Sequence, residues 1–294
     1  MLVGHVNYAP LALLLRRLQP EMRYGVFMYG IEVWDKLSLA RRTALQHADF
    51  TITISEYTQA AAANKNGRTG RQTYLLPNAL EVMPDDSGNT QTSHKKPSGT
   101  TLLTVCRLDA SERYKGVDLV IRALPAIASH VPGVQHVIIG SGEDSKRLQE
   151  LAVSLGVADR VSFLGSVDDA TLKSHYKSCD IFVMPSAKEG FGFVFLEAMQ
   201  YGKPVVAAAA GGTPEVVEDE RTGLLVPYGD VKQLAQTITR LCLDPALRAQ
   251  LGQTGYRHLE QKFTFPQFKA TLHDIITQQL PAEALYRLGR YSIA

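Results

Sequence analysis

The sequence predicts an α/β protein built from two parallel-sheet units, of which the first is incomplete. Three observations lead to this prediction. Short β-branched apolar runs alternate with helical patterns from residue 101 onward, the same alternation occupies residues 1–82 on a smaller scale, and a stretch poor in large apolar residues, 83–100, lies between them. Continuous apolar strands are typical of a parallel sheet that is covered on both faces. Since the chain begins within a strand pattern, we expect the first unit to lack part of its sheet.

In the first unit, short runs rich in β-branched and aromatic residues predict four strands. These runs are MLVGHV, RYGVFMYG, DFTITIS and TYLLPNA. Apolar residues spaced by three or four predict helices between them. The helical segments are APLALLLRRL, SLARRTALQHA and YTQAAAANK. For the two arginine-containing helices we favour an apolar face that points to the core and a solvated arginine edge. Contact of a basic, apolar helix face with anionic lipid is the alternative.

The stretch 83–100 is rich in Ser, Thr, Gly and Pro, so it is interpreted as a linker between domains. After it the same rules predict six strands and four intervening helices. The strands are TLLTVCRL, VQHVIIG, VSFLG, IFVMPS, PVVAAAA and GLLV; the helices are GVDLVIRALPAIASHV, SKRLQELAVSLG, DATLKSHYKSC and VFLEAMQYG.

Three long helical patterns follow the last predicted strand, and we expect the first two to pack outside the sheet. They are DVKQLAQTITRLC, PALRAQLGQTGYRHLEQKF and FPQFKATLHDIITQQL. We therefore place the second domain at residues 101–265. The segment 266–294 contains the last helix and a tail, and it is a candidate for crossing back to the first domain.

Composition excludes several classes of function. The 31 basic and 29 acidic residues give a formal charge of +2, so no overall field indicates nucleic acid as a partner. Three isolated cysteines, Cys106, Cys179 and Cys242, indicate neither a disulfide framework nor a zinc site. We find no signal peptide and no run of 18 apolar residues, so we expect a cytoplasmic protein.

The stretch SAKEGFGFVFLEAM, residues 186–199, follows a predicted strand and opens a helix. In open parallel sheets, ligands bind beyond the carboxyl ends of the strands. Gly190 and Gly192 remove side chains where a ligand must come close, and the helix beginning near Phe193 or Val194 presents N–H groups to an anion. These features together predict a phosphate site.

Two carboxylates flank this turn. Glu197 is suited to accept hydrogen bonds from vicinal hydroxyls, as acidic residues do with ribose, and Glu189 would reach a different group. Two carboxylates with a phosphate between them indicate a nucleotide sugar. Taken alone, Glu189 would be a solvated loop carboxylate.

Further groups for the same ligand follow other strands. Arg107 and Lys115 are cations suited to a diphosphate, although in isolation each is equally well an ordinary surface base. Main-chain groups from Leu164 to Val167 are positioned to flank a planar base. The turn in AGGTPEVVED is interpreted as a helix start with Thr213 as N-cap and no ligand role. No histidine cluster or Asp-x-Asp pair indicates a metal, so none is expected.

These residues resemble a known family, the retaining glycosyltransferases of the GT-B fold known as glycosyltransferase family 4 or group 1. Residues 188–230 are similar to the family's Glu-x7-Glu motif and its flanks, and residues 106–124 resemble its Arg/Lys diphosphate segment. The resemblance covers about residues 24–280. It implies two Rossmann-like domains. The family's opening strand and glycine-rich loop do not precede residue 24, so we expect either that Met1 is an internal or mis-called start or that this is an N-terminally truncated relative. One departure is Tyr29 before Gly30, where the family often has a histidine that touches the donor sugar.

The resemblance also assigns roles to individual residues. It implies that Arg107 and Lys115 bind the donor diphosphate, Glu189 the transferred sugar and Glu197 the ribose. Glu189, Arg107 and Lys115 form the expected catalytic set. The expected nucleotide-sugar site comprises Glu197, Gly190, Phe191, Gly192, Phe193, Val194, Leu164 and Gly165.

The function implied is metal-independent transfer of a hexose, with retention, from a UDP- or GDP-sugar to a polysaccharide or glycolipid. No cofactor is expected besides this donor substrate. The resemblance leaves open a location at the inner face of the membrane, peripheral membrane contact, and assembly with a partner chain or a second copy. The alternative is a truncated nucleotide-sugar-binding module that acts without turnover beside a partner chain.

Overall fold

A computed structural model describes residues 1–81 and 99–279. Within this part the chain forms two compact units, one from residues 1–81 and 262–279 and the other from residues 99–261. Most of the predicted linker, up to residue 98, lies outside the described residues, as does the predicted tail from residue 280.

The first unit contains a four-stranded parallel sheet in which the strands follow one another in sequence order. Its strands are β1 (Leu2–Val3), β2 (Gly25–Met28), β3 (Phe50–Thr53) and β4 (Gln72–Leu75). Its helices, in chain order, are α1 (Ala9–Leu18), α2 (Ile31–Trp34), α3 (Leu39–His47) and α4 (Glu56–Asn66). All four predicted strands and the three predicted helices are therefore present.

The buried carboxylate of Asp49 ties α1 to the start of two strands. Asp49 Oδ2 accepts a hydrogen bond from the Tyr24 N–H at 2.9 Å and lies 3.3 Å from Arg16 Nη1. The Tyr24 hydroxyl in turn donates to the Ala44 carbonyl at 2.6 Å, in the interior of the unit. A buried carboxylate needs such partners, because leaving it unpaired would cost far more than the pair returns.

Helix α1 turns its leucines outward, contrary to the favoured prediction of a core-facing apolar side. Small residues, Ala9 and Ala12, face the core, and Leu13 is only partly buried. The outward leucines are 37–74% exposed and are spaced as i, i+3, i+4 and i+7, which places them on one helix face: Leu11, Leu14, Leu15 and Leu18. We call these four residues the leucine face.

The second unit contains a six-stranded parallel sheet, ordered β10-β9-β8-β5-β6-β7. Its strands are β5 (Thr101–Val105), β6 (Gln135–Ile139), β7 (Val161–Phe163), β8 (Ile181–Met184), β9 (Val205–Ala208) and β10 (Gly223–Val226). All six were predicted from apolar runs. Strand β8 and strand β9 are buried along their whole length, as expected for a sheet covered on both faces.

Helices cover this sheet and contribute many of the buried apolar residues of its core. They are α5 (Val117–His130), α6 (Ser145–Ser154), α7 (Asp169–Ser178), α8 (Phe193–Gln200), α9 (Thr213–Val216), α10 (Val231–Leu243) and α11 (Pro245–Lys262). The last helix, α12 (Phe265–Gln279), packs in the first unit, where Ile275 joins a core cluster with Phe50 and Leu76. None of the helices within the described ranges is both long and apolar enough to span a bilayer.

The order of strands in the second sheet creates a crevice. Strands β5, β6 and β7 proceed to one side, and the chain then crosses back so that β8, β9 and β10 proceed to the other. The direction therefore reverses between β5 and β8, which are direct neighbours. Loops leaving such neighbours separate at their carboxyl ends, and this is where open α/β sheets bind ligands.

Candidate functional site

Three loops meet at the crevice between β5 and β8 and are tied together by main-chain hydrogen bonds. The Ala187 N–H, in the loop after β8, donates to the Tyr114 carbonyl in the loop after β5 at 2.8 Å. The Gly212 N–H, in the loop after β9, donates to the Glu189 carbonyl at 2.7 Å. Glu189 therefore lies between the two neighbouring loops.

The predicted residues Lys115 and Glu189 form an ion pair across the crevice. Lys115 Nζ donates to Glu189 Oε1 at 2.9 Å, and the two side chains are only 20% and 12% exposed. Burial alone would lower the pKa of Lys115, but the charge of Glu189 and the hydrogen bond to it outweigh this effect, so the pKa is raised. Lys115 thus stays protonated, as a ligand for a phosphate must.

Several charges converge on Tyr114, which precedes Lys115. Burial has the largest effect and raises the pKa of Tyr114, and four charged side chains shift this pKa in opposing directions. They are Lys115, Glu112, Glu189 and Arg107. Lys115 Nζ lies 5.8 Å from the centre of the Tyr114 ring, which places this ring beside the Lys115–Glu189 pair.

Arg107 is the least constrained of the predicted catalytic residues. Its side chain is 78% exposed, and its guanidinium Nη2 contacts Glu112 Oε1 on the same loop. Although Glu112 is only 12% exposed, the guanidinium lies largely in solvent, and ion pairs at the surface are worth at most about 1 kcal/mol. A diphosphate would therefore compete with Glu112 for Arg107. Lys115, in contrast, is held at the crevice by its hydrogen bond to Glu189.

Asp144 anchors the loop that carries these cations, a role that the sequence did not indicate. Its carboxylate is buried and accepts hydrogen bonds from Arg113 Nε at 2.9 Å and Arg147 Nε at 2.7 Å. The Asp144 N–H donates to the Leu108 carbonyl, also at 2.9 Å. Hydrogen bonds from Arg147 and Arg113 lower the pKa of Asp144, so it remains charged.

Helix α8 begins at Phe193, as predicted, with Gly192 as its N-cap. Gly192 has φ +91°, a conformation that side-chain-bearing residues rarely adopt, and a Cβ there would lie 2.5 Å from the Phe195 ring. The first N–H groups of the helix, including those of Phe193 and Val194, have no intrahelical acceptor four residues earlier. They are available to an anion at this end. Of the neighbouring predicted residues, Phe191 is buried and Gly190 is half-buried.

Glu197 lies on α8 and is held by an aromatic residue of α7. The Tyr176 hydroxyl donates to Glu197 Oε2 at 2.6 Å, and Tyr176 itself is only 2% exposed. Glu197 is half-buried. The sequence had indicated Glu197 but not Tyr176, because an aromatic residue near the end of a helix is usually interpreted as core.

The turn before α9 has a closer relation to Glu189 than the sequence suggested. Gly211 has φ +61°, and a Cβ there would lie 2.4 Å from the Glu189 carbonyl oxygen. The prediction that Thr213 is the N-cap is wrong: Gly212 is the cap and Thr213 is the first helical residue. Thr213 is buried, and its Oγ1 has no hydrogen-bond partner among the described residues.

At the end of β7, part of the main chain predicted to flank a base is used by the sheet. The Leu164 N–H donates to the Ile138 carbonyl at 3.0 Å, and the Gly165 carbonyl accepts from the Gly140 N–H at 2.8 Å. The Leu164 side chain is 40% exposed. Contact with a base at these positions would therefore use the Leu164 carbonyl, the Gly165 N–H or the Leu164 side chain.

In the first unit, Tyr29 occupies the position where the resembling family often has histidine. Its N–H and that of Gly30 both donate to Glu32 Oε1, at 2.5 and 3.1 Å. The Tyr29 ring is 40% exposed and stacks on Phe27. Glu32 thus fixes the turn before α2, while the tyrosine ring remains accessible.

Among the side chains of residues 1–81 and 99–279, no group of three or more His, Cys, Asp or Glu residues is arranged to hold a metal ion. The metal-independent reaction implied by the resemblance stays a prediction.

Comparison with known sequences identifies the family. Residues 89–258 match the family model "Glycosyl transferases group 1". A GDP-mannose-dependent alpha-(1-6)-phosphatidylinositol monomannoside mannosyltransferase from Mycobacterium tuberculosis is 32% identical over 283 residues, covering 91% of this chain and 73% of that protein. The enzyme of the same name from Mycolicibacterium smegmatis is 35% identical over 266 residues, covering 85% of this chain and 69% of that protein.

Comparison with solved structures finds the same fold in known glycosyltransferase and sugar-nucleotide-binding structures. Sucrose-phosphate synthase from Thermosynechococcus elongatus superposes with a TM-score of 0.78 at 25% identity, covering 95% of this chain and 73% of that one. The Anabaena protein HepE, solved in complex with UDP, superposes with a TM-score of 0.81 at 23% identity, covering 94% and 78%. The predicted resemblance is thus confirmed by sequence and by fold. The chain belongs to the group 1 glycosyltransferases and is a glycosyltransferase with the GT-B fold.

Proposed function

We propose that this glycosyltransferase transfers a hexose, with retention and without a metal ion, from a GDP- or UDP-sugar to a lipid-linked saccharide. The observation that supports this most is the buried Lys115–Glu189 pair at the crevice between β5 and β8, next to the start of α8. GDP-mannose is the favoured donor and a glycolipid the favoured acceptor, because the similar enzymes from Mycobacterium tuberculosis and Mycolicibacterium smegmatis are named for GDP-mannose and a phosphatidylinositol mannoside.

In the proposed site, the diphosphate binds between cations and helix N–H groups. Lys115 and Arg107 supply positive charge, and the N–H groups of Phe193 and Val194 supply hydrogen-bond donors. Each such preorganised donor contributes about 3–4 kcal/mol to transition-state stabilisation in well-studied enzymes. These groups would stabilise the charge that develops when the diphosphate departs.

The proposed reaction needs no protein nucleophile. The bond between the anomeric carbon and the β-phosphate oxygen breaks, and its electron pair leaves with the diphosphate. The acceptor hydroxyl attacks the anomeric carbon from the same face and gives its proton to a diphosphate oxygen. Glu189 binds the sugar during this exchange, and its negative charge stabilises the positive charge that develops at the anomeric carbon.

Binding of the nucleotide product provides the first test. GDP at 100 times its dissociation constant is expected to add about 2.7 kcal/mol to the free energy of unfolding, because ligand binds only the folded state. Differential scanning fluorimetry with millimolar GDP, UDP and, as a control, adenosine monophosphate measures this shift. No shift with either GDP or UDP would contradict the proposed donor site.

Transfer itself is measured with GDP-mannose and UDP-glucose against a phosphatidylinositol mannoside acceptor, in EDTA. NMR of the product gives the anomeric configuration. A β-linked mannoside would contradict retention, and loss of activity that Mg²⁺ or Mn²⁺ restores would contradict metal independence. Tight nucleotide binding without transfer or donor hydrolysis would favour the alternative, a donor-binding module acting beside a partner chain.

We further propose that the leucine face of α1 contacts an anionic membrane surface, where a lipid-linked acceptor would reside. Helix α1 and its neighbour α3 contain four arginines, Arg16, Arg17, Arg41 and Arg42, and no acidic residue; the charge of Arg16 is paired with Asp49. Exposed leucines combined with positive charge are typical of helices that lie in the interface of anionic bilayers.

Replacing Leu14 and Leu18 with serine is expected to lower partition into phosphatidylglycerol vesicles at least about tenfold, since each buried leucine contributes about 1.5–3 kcal/mol. Vesicle sedimentation measures the partition. Leu243→Ser is the control, because Leu243 is 62% exposed on α10 of the other unit. No sedimentation of the unaltered protein, with concentration-dependent dimerisation instead, would show that a second copy covers the leucine face.

A further inference from the structure

The contact between Tyr176 and Glu197 joins a deeply buried hydroxyl to a carboxylate that the family resemblance assigns to the donor ribose. The Tyr176 hydroxyl donates to Glu197 Oε2 at 2.6 Å, a short bond typical of a charged acceptor. Burial, followed by the charge of Glu197, raises the pKa of Tyr176 well above its ordinary value. The hydroxyl is therefore protonated at neutral pH and can donate to Glu197.

The tyrosine ring is fixed on both sides. It stacks on Phe182 of β8 at 5.9 Å and on Tyr201, which follows α8, at 5.8 Å between ring centroids. Only 2% of Tyr176 is exposed. A glutamate side chain has several rotatable bonds, whereas this ring has little freedom, so the hydroxyl determines where Glu197 Oε2 lies.

The other carboxylate oxygen is left for a different partner. No side chain or main-chain group within residues 1–81 and 99–279 donates a hydrogen bond to Glu197 Oε1, and Glu197 is half-buried rather than shielded. A carboxylate held by one oxygen presents the other in a defined direction. Such a group is suited to accept hydrogen bonds from neighbouring hydroxyls of a sugar.

We propose that Tyr176 is a positioning residue that sets the preference of this site for ribonucleotides over 2′-deoxyribonucleotides. It holds Glu197 Oε2, so that the carboxylate accepts hydrogen bonds from the ribose hydroxyls without first losing conformational freedom. This inference rests on the proposed function, because it requires that a nucleoside diphosphate binds with its ribose at Glu197.

The test compares the dissociation constants of GDP and 2′-deoxy-GDP by isothermal titration calorimetry; UDP and 2′-deoxy-UDP replace them if UDP is the nucleotide that binds. The unaltered protein is expected to bind the ribonucleotide at least about tenfold more tightly, since a hydrogen bond to a charged group is involved. Tyr176→Phe removes one oxygen atom and is expected to reduce this ratio to below about threefold. The change should come from weaker binding of the ribonucleotide, with little change for the deoxy form.

A double-mutant cycle separates positioning from other effects. Glu197→Gln should also abolish the preference, and adding Tyr176→Phe to it should change the ratio no further, because both substitutions remove the same interaction. The ratio of two dissociation constants on one sample does not depend on how much of the sample is folded. A mild loss of stability in either variant therefore leaves the test valid.

Tyr24→Phe is the matched control. Tyr24 is equally buried and donates a hydrogen bond of the same length, 2.6 Å, to the Ala44 carbonyl in the other unit. This variant should lose stability but retain the ribose preference. A Tyr176→Phe variant that keeps the full preference would overturn the inference and leave the donor site intact.

Two further outcomes are informative. If the unaltered protein binds GDP and 2′-deoxy-GDP equally, Glu197 does not discriminate by the ribose 2′-hydroxyl. The inference is then wrong, although a nucleotide site remains. If neither GDP nor UDP binds, the proposed function fails and this inference fails with it.

Discussion

Glu189→Gln is expected to lower kcat at least about a hundredfold while changing the dissociation constant of the nucleotide by less than about threefold. Removing one preorganised electrostatic group from an active site costs about 10²–10³ in kcat. Glutamine keeps the size of the side chain and an oxygen for Lys115, but it loses the negative charge beside the transferred sugar. Alanine is the poorer choice, since it would leave the largely buried Lys115 without its partner.

Steady-state kinetics and calorimetric titration with GDP measure the two quantities. Glu220→Gln is the matched control, because Glu220 forms an exposed ion pair with Arg240, at 2.6 Å, in the same unit. In contrast, Arg107→Ala should weaken both nucleotide binding and transfer. Small and equal effects of the Glu189 and Arg107 substitutions would contradict the roles proposed for them.

Gly211→Ala is expected to have the second large effect, because position 211 supports the main chain of Glu189. A Cβ there would lie 2.4 Å from the Glu189 carbonyl oxygen and 3.0 Å from its nitrogen. The substitution therefore adds overpacking, about 1–3 kcal/mol, to the cost of a left-handed backbone, about 1–2 kcal/mol. Because Glu189 must shift, we also expect kcat to fall at least about tenfold.

Gly202→Ala isolates the contribution of this contact. Gly202 has the same φ, +61°, but the nearest atom to its Cβ would be 4.0 Å away. It should therefore show the backbone cost alone, without the loss of activity. Denaturant unfolding and transfer kinetics measure both effects, and equal behaviour of the two alanine variants would show that Gly211 does not position Glu189.

Local sequence patterns were sufficient to predict the sheets of both units. The central strands of the second sheet were predicted because a parallel strand buried on both faces is a continuous apolar run, as in IFVM at 181–184 and VVAA at 205–208. The less buried strands β4 and β7 were predicted from their β-branched and aromatic residues. The start of α8 was predicted from the glycines at 190 and 192. Gly192 is the N-cap, and its φ of +91° favours glycine at this position.

Contacts between distant parts of the chain could not be predicted in this way. Tyr176, Asp144 and Gly211 each have a partner 21 or more residues away, and nothing in the neighbouring sequence distinguishes them from core, surface or turn residues. The prediction that the apolar side of α1 faces the core was wrong for a related reason. Its spacing showed that an apolar stripe exists on α1, but which face of a helix meets the core depends on the sheet beneath it.

The central claim is that a nucleoside diphosphate binds at the crevice between β5 and β8, with its phosphates between Lys115 and the start of α8. A crystal structure of the protein with GDP tests it most directly. We predict phosphate oxygens within about 3.2 Å of Lys115 Nζ and of the N–H groups of Phe193 or Val194. Electron density for GDP elsewhere on the chain, with the Lys115–Glu189 pair untouched by phosphate, would contradict the claim.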